Sequence, residues 1–390
     1  MHVGIVTFQR SFSYGAALQC WALTTFLRKL GHKVSVVDYC PSHRKDRANP
    51  ISSRRFYTPG NIVAVPLYFR FSKFIGRKIP LTPKRYPSIA ALRGAELPFD
   101  AVVCGSDQIW NADHTGNKLD AGYFASFGFP EMKRISYAAS LGGDRLRLPF
   151  LDDFRRYTSK MDAISAREKR ACAFIETLTG RPCEHVLDPT LLALSFSPIE
   201  EAISTPDNYI LSFCLQRTSH YNGILRKVRE QLRLPIVQVR TAYRMNFPDA
   251  QNVLPSPGQW LTLVRKAAFV VTNSFHGICF ALNYRRPFLA AQLIGDSAYR
   301  NERLISLLQR FDLSDYFWGD SVGGKLANIV QRKIDWKGVH QILARNRDDS
   351  AEFLRMNLTG STPIARSLQT KPQQKRPGKS ERSPKWQTTD

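Results

Sequence analysis

Short runs of β-branched and apolar residues alternate with amphipathic stretches along most of the chain. Val3 to Thr7 forms the first run, and apolar positions between residues 23 and 30 then follow helical spacing until Gly31. A second run at 34–37 completes a strand–helix–strand unit. The loop after the first strand of such a unit lies at the ligand-binding edge of a parallel sheet, so residues 13–19 form a candidate binding loop.

The same alternation continues in two series, with helical patterns between the strand patterns. The expected strands lie at 99–104, 134–138, 162–165, 184–188, 209–213, 235–239, 267–272 and 287–291. Alternation of this kind is typical of wound parallel sheets covered by helices on both faces. The pattern therefore predicts an α/β protein with two such sheets.

The length of 390 residues fits two domains, at roughly 100–200 residues each. We predict an N-terminal domain over 1–197, a linker over 198–207, a C-terminal domain over 208–345 and a closing helix over 346–360. Residues 361–390 are rich in Pro, Gln, Ser and Lys with almost no apolar side chains. Such a segment cannot offset the entropy of ordering, so we expect a disordered basic tail.

Residues 43–86 interrupt the α/β pattern. They contain eleven Lys or Arg residues and one acidic residue, Asp46, with aromatic and aliphatic side chains interleaved. Two interpretations stay open. The segment could lie on an anionic membrane surface, or it could be a basic insertion whose aromatic residues enter the core.

Charge and cysteine content narrow the class of protein. The formal net charge of +24 favours an anionic partner or substrate: anionic lipid, a phosphorylated metabolite or nucleic acid. We expect no nucleic-acid partner, because much of the excess positive charge lies in 43–86 and in the tail.

The chain has seven scattered cysteines without a C-x-x-C pair, and it has no long uncharged apolar run. These features predict a reduced cytoplasmic protein without a metal site or membrane span.

Missing motifs exclude several activities. The loop after the first strand offers Gly15 alone, where a dinucleotide site needs G-x-G-x-x-G. Neither a P-loop motif nor G-x-S-x-G occurs in the chain. P-loop nucleotide hydrolysis and α/β-hydrolase chemistry are therefore excluded.

A candidate proton donor lies where a late strand pattern turns into a helix. Ser274, His276 and Gly277 occupy that junction, where free backbone N–H groups attract phosphate or carboxylate. An imidazole there could deliver a proton near neutral pH. The alternative is a histidine that packs or caps within the core.

Two further strand ends carry polar groups. Arg167 could grip a carboxylate or phosphate with its planar guanidinium, unless it merely forms a surface salt bridge with Glu168. Asp107, Gln108 and Asn111 could bind sugar hydroxyls, although Asp107 could equally be a helix cap.

Seven short motifs follow one another along the chain between residue 1 and about residue 315. They are Ser13-Tyr-Gly-Ala-Ala-Leu-Gln19, Phe99-Asp followed by Gly105-Ser-Asp-Gln-Ile-Trp-Asn111, Tyr137-Ala-Ala-Ser-Leu-Gly142, Ser165-Ala-Arg-Glu168, Val186-Leu-Asp-Pro-Thr190, Ser274-Phe-His-Gly277 and Tyr284-Arg-Arg-Pro287. Together they resemble the polysaccharide pyruvyl transferase family. One departure is Ser13, because the family usually has asparagine before Tyr-Gly.

The resemblance implies a glycosyltransferase-B-like fold of two doubly wound Rossmann-like domains. It also implies transfer of the pyruvate unit from phosphoenolpyruvate to two hydroxyls of a sugar, giving a ketal and phosphate without a cofactor. The acceptor would belong to a surface polysaccharide or its lipid-linked precursor, with the protein peripheral at the inner face of the cell membrane. By similarity His276 is the general acid, Arg167 and Arg303 hold the donor with Arg300 as substitute, and Tyr14 and Gly15 contact substrate.

The residue types suit this chemistry. Protonating the methylene carbon of phosphoenolpyruvate needs an acid whose pKa is near ambient pH, which histidine provides. A base must also accept the hydroxyl proton, and Asp107 is the candidate. The alternative activity is that of a nucleotide-sugar-dependent glycosyltransferase with the same fold.

Overall fold

The computed structural model describes residues 1–43, 61–241, 246–319 and 326–359, without the side chains of 61–63. The predicted tail at 361–390 and the first part of the basic segment, 44–60, lie outside these residues. Within them, strands form two main parallel sheets, and each sheet has helices packed against it. The predicted α/β class is confirmed.

The first sheet has five parallel strands in the order β3-β2-β1-β4-β5. Its strands are β1 (His2–Val6), β2 (Lys33–Tyr39), β3 (Leu81–Tyr86), β4 (Ala101–Cys104) and β5 (Lys133–Ser136). A parallel pair, β6 (Ser165–Ala166) and β7 (Glu184–His185), continues it through isolated parallel bridges such as Ala139 to Ala166. Crossover connections therefore bring every strand's carboxyl end to one edge.

The second sheet has six strands in the order β10-β9-β8-β11-β12-β13, again parallel. They are β8 (Ile210–Phe213), β9 (Ile236–Val239), β10 (Ala250–Val253), β11 (Phe269–Thr272), β12 (Phe288–Ala291) and β13 (Phe317–Trp318). Strands β10 and β13 were absent from the predicted series. β13 has only two residues and β10 is only partly buried, so neither carries a strong apolar pattern.

Helices connect the strands. They are α1 (Tyr14–Lys29), α2 (Asn61–Lys78), α3 (Ile89–Arg93), α4 (Leu151–Thr158), α5 (Lys169–Thr179), α6 (Pro189–Leu192), α7 (Ser219–Leu232), α8 (Pro257–Lys266), α9 (Phe275–Asn283), α10 (Asn301–Arg310), α11 (Leu326–Gln331) and α12 (Trp336–Thr359). All residues of β4, β8, β9, β11 and β12 are buried, as expected for strands covered on both faces. Burial of each Val, Ile or Leu side chain stabilises the sheets by about 1.5–3 kcal/mol.

The basic segment 43–86 is more than an insertion. Its described part contains α2 and also β3, which is the edge strand of the first sheet. Residues Leu67, Phe71 and Phe74 of α2 are buried in the core, as one of the two interpretations predicted. Phe69, by contrast, is 57% exposed.

The closing helix is longer than the predicted 346–360. Helix α12 begins at Trp336, inside the range predicted for the C-terminal domain. It begins there because the Asp335 carboxylate caps it, accepting hydrogen bonds from the backbone N–H groups of Lys337 and Gly338. It then returns to the first lobe, where Ser350 Oγ accepts a hydrogen bond of 2.9 Å from the Leu187 N–H. This helix therefore ties the two lobes together.

None of the helices in the described ranges is long and apolar enough to cross a membrane.

Candidate active site

Loops that follow strands of both sheets meet between the two lobes. Asp107 follows β4, Arg167 follows β6, and His276 lies in the first turn of α9, directly after β11. Because the strands of each sheet are parallel, their carboxyl ends share one edge, and the two edges face each other here. The structure thus brings together three predicted residues that are distant in sequence.

Arg167 is at the centre of this charged cluster. Its side chain is completely buried, and its three guanidinium nitrogens face three carboxylates. Nη1 donates to Asp188 Oδ2 at 2.7 Å, Nε donates to Glu168 Oε1 at 3.1 Å, and Nη2 lies 3.5 Å from Asp107 Oδ1. The pair with Glu168 exists, but it is part of a buried network rather than a surface salt bridge. Burial opposes the charged form, yet the three carboxylates outweigh it and raise the Arg167 pKa.

His276 approaches the same network from the second lobe. Its Nε2 lies 3.5 Å from Asp188 Oδ2, so this carboxylate is shared by the imidazole and Arg167. The ring is mostly buried, at 8% exposure, but it faces charged groups at the junction of two lobes. The neighbouring Phe275 ring packs under Arg167, whose Cζ is 4.4 Å from the ring centroid.

Two predicted ligand-binding glycines have a packing role. A β-carbon on Gly15 would lie 1.9 Å from His276 Nδ1, so the absence of a side chain there makes room for the imidazole. A β-carbon on Gly277 would lie 2.4 Å from Thr272 Oγ1. Ser274 is the N-cap of α9, with its Oγ accepting a hydrogen bond from the Gly277 N–H at 3.4 Å. These three residues hold the histidine in place.

Tyr14 does not fit its predicted role in substrate binding. It is 1% exposed, stacks on Trp260 of the second lobe at 5.3 Å, and donates a hydrogen bond of 2.9 Å to the Pro255 carbonyl. The apolar ring is therefore used in the lobe interface, where a soluble ligand has no access. The sequence prediction named Tyr14 together with Gly15 because both belong to the candidate binding loop 13–19.

The polar residues after β4 have two different roles. Asp107 joins the charged cluster, and Asn111 bonds within its own loop. Asp107 has a left-handed backbone, φ 74°, and its carboxylate accepts from the Gln108 N–H at 2.8 Å. Asn111 donates to Gln108 Oε1 at 3.0 Å and caps the Asp113 N–H at 3.0 Å. The helix cap of this motif is thus Asn111, whereas Asp107 joins Arg167.

Arg303 comes from α10 and is 3% exposed. Burial and the neighbouring Arg167 lower its pKa to about 10, while Glu168 acts in the opposite direction, so the guanidinium stays charged at neutral pH. Its Nε is buried and makes no hydrogen bond to the described residues. Arg300, the substitute candidate, instead donates through Nε to the Tyr299 hydroxyl at 3.1 Å.

Two carboxylates of the cluster, Asp188 and Glu168, were not among the predicted site residues. Both belong to motifs that were recognised, and each follows a strand of the first lobe, which was the available signal. Burial opposes ionisation of Asp188, but His276 and Arg167 outweigh it and lower its pKa. Asp107 behaves likewise: burial acts against ionisation, and the charges of Arg167 and His276 bring its pKa below the usual value.

Glu168 has the opposite electrostatics. Its side chain is completely buried, and this burial raises its pKa in spite of Arg167 and Arg303. Oε1 accepts from Ser140 Oγ at 2.7 Å and from Arg167, while Oε2 has no hydrogen-bond partner in the described residues.

In the described ranges, no group of three or more His, Cys, Asp or Glu side chains could hold a metal ion. The carboxylates here face guanidinium groups.

The cluster combines one imidazole, two arginines and three carboxylates at the junction of two lobes. A family model for polysaccharide pyruvyl transferases matches residues 14–291, which include Asp107, Arg167 and His276. The chain belongs to this family. The resemblance drawn from the seven motifs is confirmed, and the pyruvyl transferase family indicates a transferase that acts in polysaccharide biosynthesis.

Solved structures support the fold of this family member. The S. aureus MnaA-UDP co-structure matches with a TM-score of 0.50 at 11% identity, covering 93% of this chain and 99% of that one. UDP-GlcNAc 2-epimerase from Neisseria meningitidis, bound to UDP-GlcNAc, gives 0.49 at 12% identity and covers 93% and 100%. At such identities the first match shows a shared fold alone, which confirms the predicted glycosyltransferase-B-like arrangement. A search of curated proteins found no match.

Proposed function

We propose that this pyruvyl transferase moves the pyruvate unit of phosphoenolpyruvate onto two hydroxyls of one sugar residue, forming a ketal and releasing phosphate. The observation that carries the proposal is the sharing of Asp188 by His276 and Arg167. An acid and an anion-binding guanidinium are thereby held side by side between the lobes. These are the two groups that an anionic enol ester requires.

His276 would protonate the methylene carbon of the donor. Its Nε2 is buried and faces Asp188 at 3.5 Å, and its Nδ1 lies against Gly15. The Asp188 carboxylate would orient the ring. Because the pKa of Asp188 is lowered, this carboxylate stays ionised beside the imidazole.

Three positive groups would offset the donor's phosphate and carboxylate. Arg167 and Arg303 supply full charges, and the N-terminus of α9 at His276 supplies partial charge and N–H donors. Arg167 is already engaged with three carboxylates. Arg303, whose Nε has no hydrogen-bond partner among the described residues, is the better placed of the two for direct contact. The proposal needs no cofactor or metal.

The bond changes balance over two additions. Protonation of the methylene carbon makes the methyl group, and the oxygen of the first hydroxyl bonds to the adjacent carbon as Asp107 accepts its proton. The carbon–oxygen bond to phosphate then breaks, the second hydroxyl attacks the same carbon, and its proton leaves with the phosphate. Return of the proton from Asp107 to His276 restores both groups for the next turnover. Asp107 can serve because it is ionised and its side chain is 12% exposed, although its lowered pKa makes it a weak base.

The acceptor would be a sugar residue of a surface polysaccharide or of its lipid-linked precursor. Gln108 and Asn111 lie beside Asp107 and offer amide groups for sugar hydroxyls. A lipid-linked acceptor would place the protein as a peripheral protein at the inner face of the cell membrane. The family supports a polysaccharide acceptor in general terms.

The test is phosphate release from phosphoenolpyruvate in the presence of candidate acceptor glycans, with the ketal methyl group of the product identified by NMR. His276→Ala should lower kcat by about 10²–10⁴-fold, the usual loss for a general acid. The matched control is His32→Ala, which lies at the opposite edge of the first sheet, just before β2. Equal turnover by both variants would contradict the assignment.

A nucleotide-sugar-dependent glycosyltransferase is the competing activity. Ligands that bind the native state raise its melting temperature. We expect a rise with phosphoenolpyruvate and none with nucleotide sugars. The reverse result would replace this proposal with glycosyl transfer.

A further inference from the structure

Helix α2 presents two very different faces. Its inward face packs Leu67, Phe71 and Phe74 into the core of the first lobe. Its outward face carries Phe69, which is 57% exposed, with exposed Lys73 and Arg77. An exposed phenylalanine beside cations combines the two residue types that bind the surface of an anionic bilayer.

The outward residues form one stripe. Positions 69, 73 and 77 recur every four residues, so they follow one another along the same face of the helix. Arg70 lies at the flank of this stripe and is also exposed. We call Phe69, Arg70, Lys73 and Arg77 the basic stripe.

Charge on this part of the first lobe has a single sign. Between residues 61 and 86 the sequence has six Lys or Arg residues and no acidic residue. In the described part of the chain, Lys73 and Arg77 have no carboxylate oxygen within 4.0 Å, whereas Arg85 pairs with Asp38 at 3.3 Å. Lys73 and Arg77 therefore form no ion pair within the described part of the chain.

The inward face of α2 packs close to the candidate active site. Phe12, in the loop that leads from β1 to α1, packs against Tyr68 at 5.3 Å and Phe71 at 6.0 Å. Phe71 in turn packs on Tyr14 at 5.0 Å, and the next residue, Gly15, lies against the His276 ring. Only one packed layer separates this helix from the loop that supports the imidazole.

We propose that the basic stripe docks on an anionic lipid bilayer, with Phe69 inserted among the acyl chains and Arg70, Lys73 and Arg77 against the headgroups. Lys and Arg gain about fivefold each in partitioning onto an anionic leaflet, and an inserted aromatic side chain adds to this. The docking itself is independent of the transfer chemistry. Combined with the proposed function, it would hold the cleft beside an acceptor attached to a lipid carrier.

The experiment is sedimentation of the full chain with lipid vesicles, without phosphoenolpyruvate or acceptor. Vesicles of phosphatidylcholine with about 30% phosphatidylglycerol should bind the protein, and phosphatidylcholine alone should bind it far less. The double variant Lys73→Gln, Arg77→Gln should weaken binding by about 25-fold, and Phe69→Ser should also weaken it. The control is Arg226→Gln with Lys227→Gln, two exposed cations on α7 of the second lobe.

Each outcome has a definite meaning. Equal binding by the stripe variant and the parent, or equal binding to both kinds of vesicle, would overturn the proposal. A stripe-dependent affinity for duplex DNA above that for anionic vesicles at the same salt concentration would also overturn it. All variants should keep the parent's melting temperature and its turnover of a water-soluble acceptor fragment. Loss of vesicle binding with intact turnover would thus separate this inference from the proposed function.

Discussion

The imidazole of His276 occupies space that a side chain on Gly15 would fill, since a β-carbon there would lie 1.9 Å from Nδ1. The glycine belongs to the first lobe and the histidine to the second. The position of the ring is therefore set by packing between the lobes as much as by its own helix. This contact leads to the first prediction.

Replacement Gly15→Ala should displace the imidazole while leaving every charged group of the cluster in place. We expect kcat to fall by about 100-fold or more, because general acid catalysis depends on the position of the donor nitrogen. Overpacking should cost about 1–3 kcal/mol in unfolding free energy. Phosphate release and thermal unfolding measure the two effects.

The control for this variant is Gly223→Ala. Gly223 lies within α7, and a β-carbon there would meet nothing within 4 Å. This change should stabilise the protein by about 0.5–1 kcal/mol and leave kcat unchanged. Unaltered turnover in Gly15→Ala would show that the ring does not need its present position.

Asp188→Asn should make stability less dependent on pH in the acid range. The native pKa of Asp188 is lowered, so the aspartate stabilises the fold above its unfolded pKa of about 4, and this contribution is lost as the pH falls. At pH 7 the variant should be less stable by about 3–5 kcal/mol, because Arg167 and His276 lose a buried partner. Denaturant unfolding should show the gap between variant and parent narrowing as the pH drops below about 4. A gap independent of pH would contradict the assigned shift.

Glu168→Gln should show the opposite trend. The native pKa of Glu168 is raised by burial, so its contribution to stability is complete below the unfolded pKa of about 4.3 and is lost as the pH rises through the native value. The free energy of unfolding of the variant should therefore fall further below that of the parent in acid than at pH 7. The same unfolding series measures both variants. Parallel pH profiles for the Asp188 and Glu168 variants would show that the two carboxylates do not differ as described.

Arg303→Gln should weaken donor binding more than Arg300→Gln. Arg303 is buried beside Arg167, and its Nε has no hydrogen-bond partner in the described ranges, whereas Arg300 contacts the Tyr299 hydroxyl. Loss of a charged hydrogen bond to the donor, about 1.5–3 kcal/mol, should raise KM for phosphoenolpyruvate roughly 10–100-fold. Steady-state kinetics with both variants test this, and an equal or larger effect at Arg300 would reverse the assignment.

The wound α/β architecture could be predicted from sequence because both sheets are covered on their two faces, so their strands read as apolar runs. The candidate residues at strand ends could also be found, since parallel strands bring their carboxyl ends to one edge. The strands β3, β10 and β13 and the start of α12 escaped prediction. Short or partly exposed strands lack an apolar signal, and the helix begins at a capping aspartate, Asp335, outside the expected range.

The sequence by itself determined the residue types of the candidate site and their order: Asp107, Arg167 and His276, each following a strand. Only the tertiary structure decided which groups share a partner. Asp188 joins Arg167 to His276 across the lobes, and Tyr14 is buried against Trp260 while its neighbour Gly15 makes room for the imidazole. The physical reason is that strand periodicity is local, whereas burial, charge pairing and pKa depend on groups brought together from both lobes.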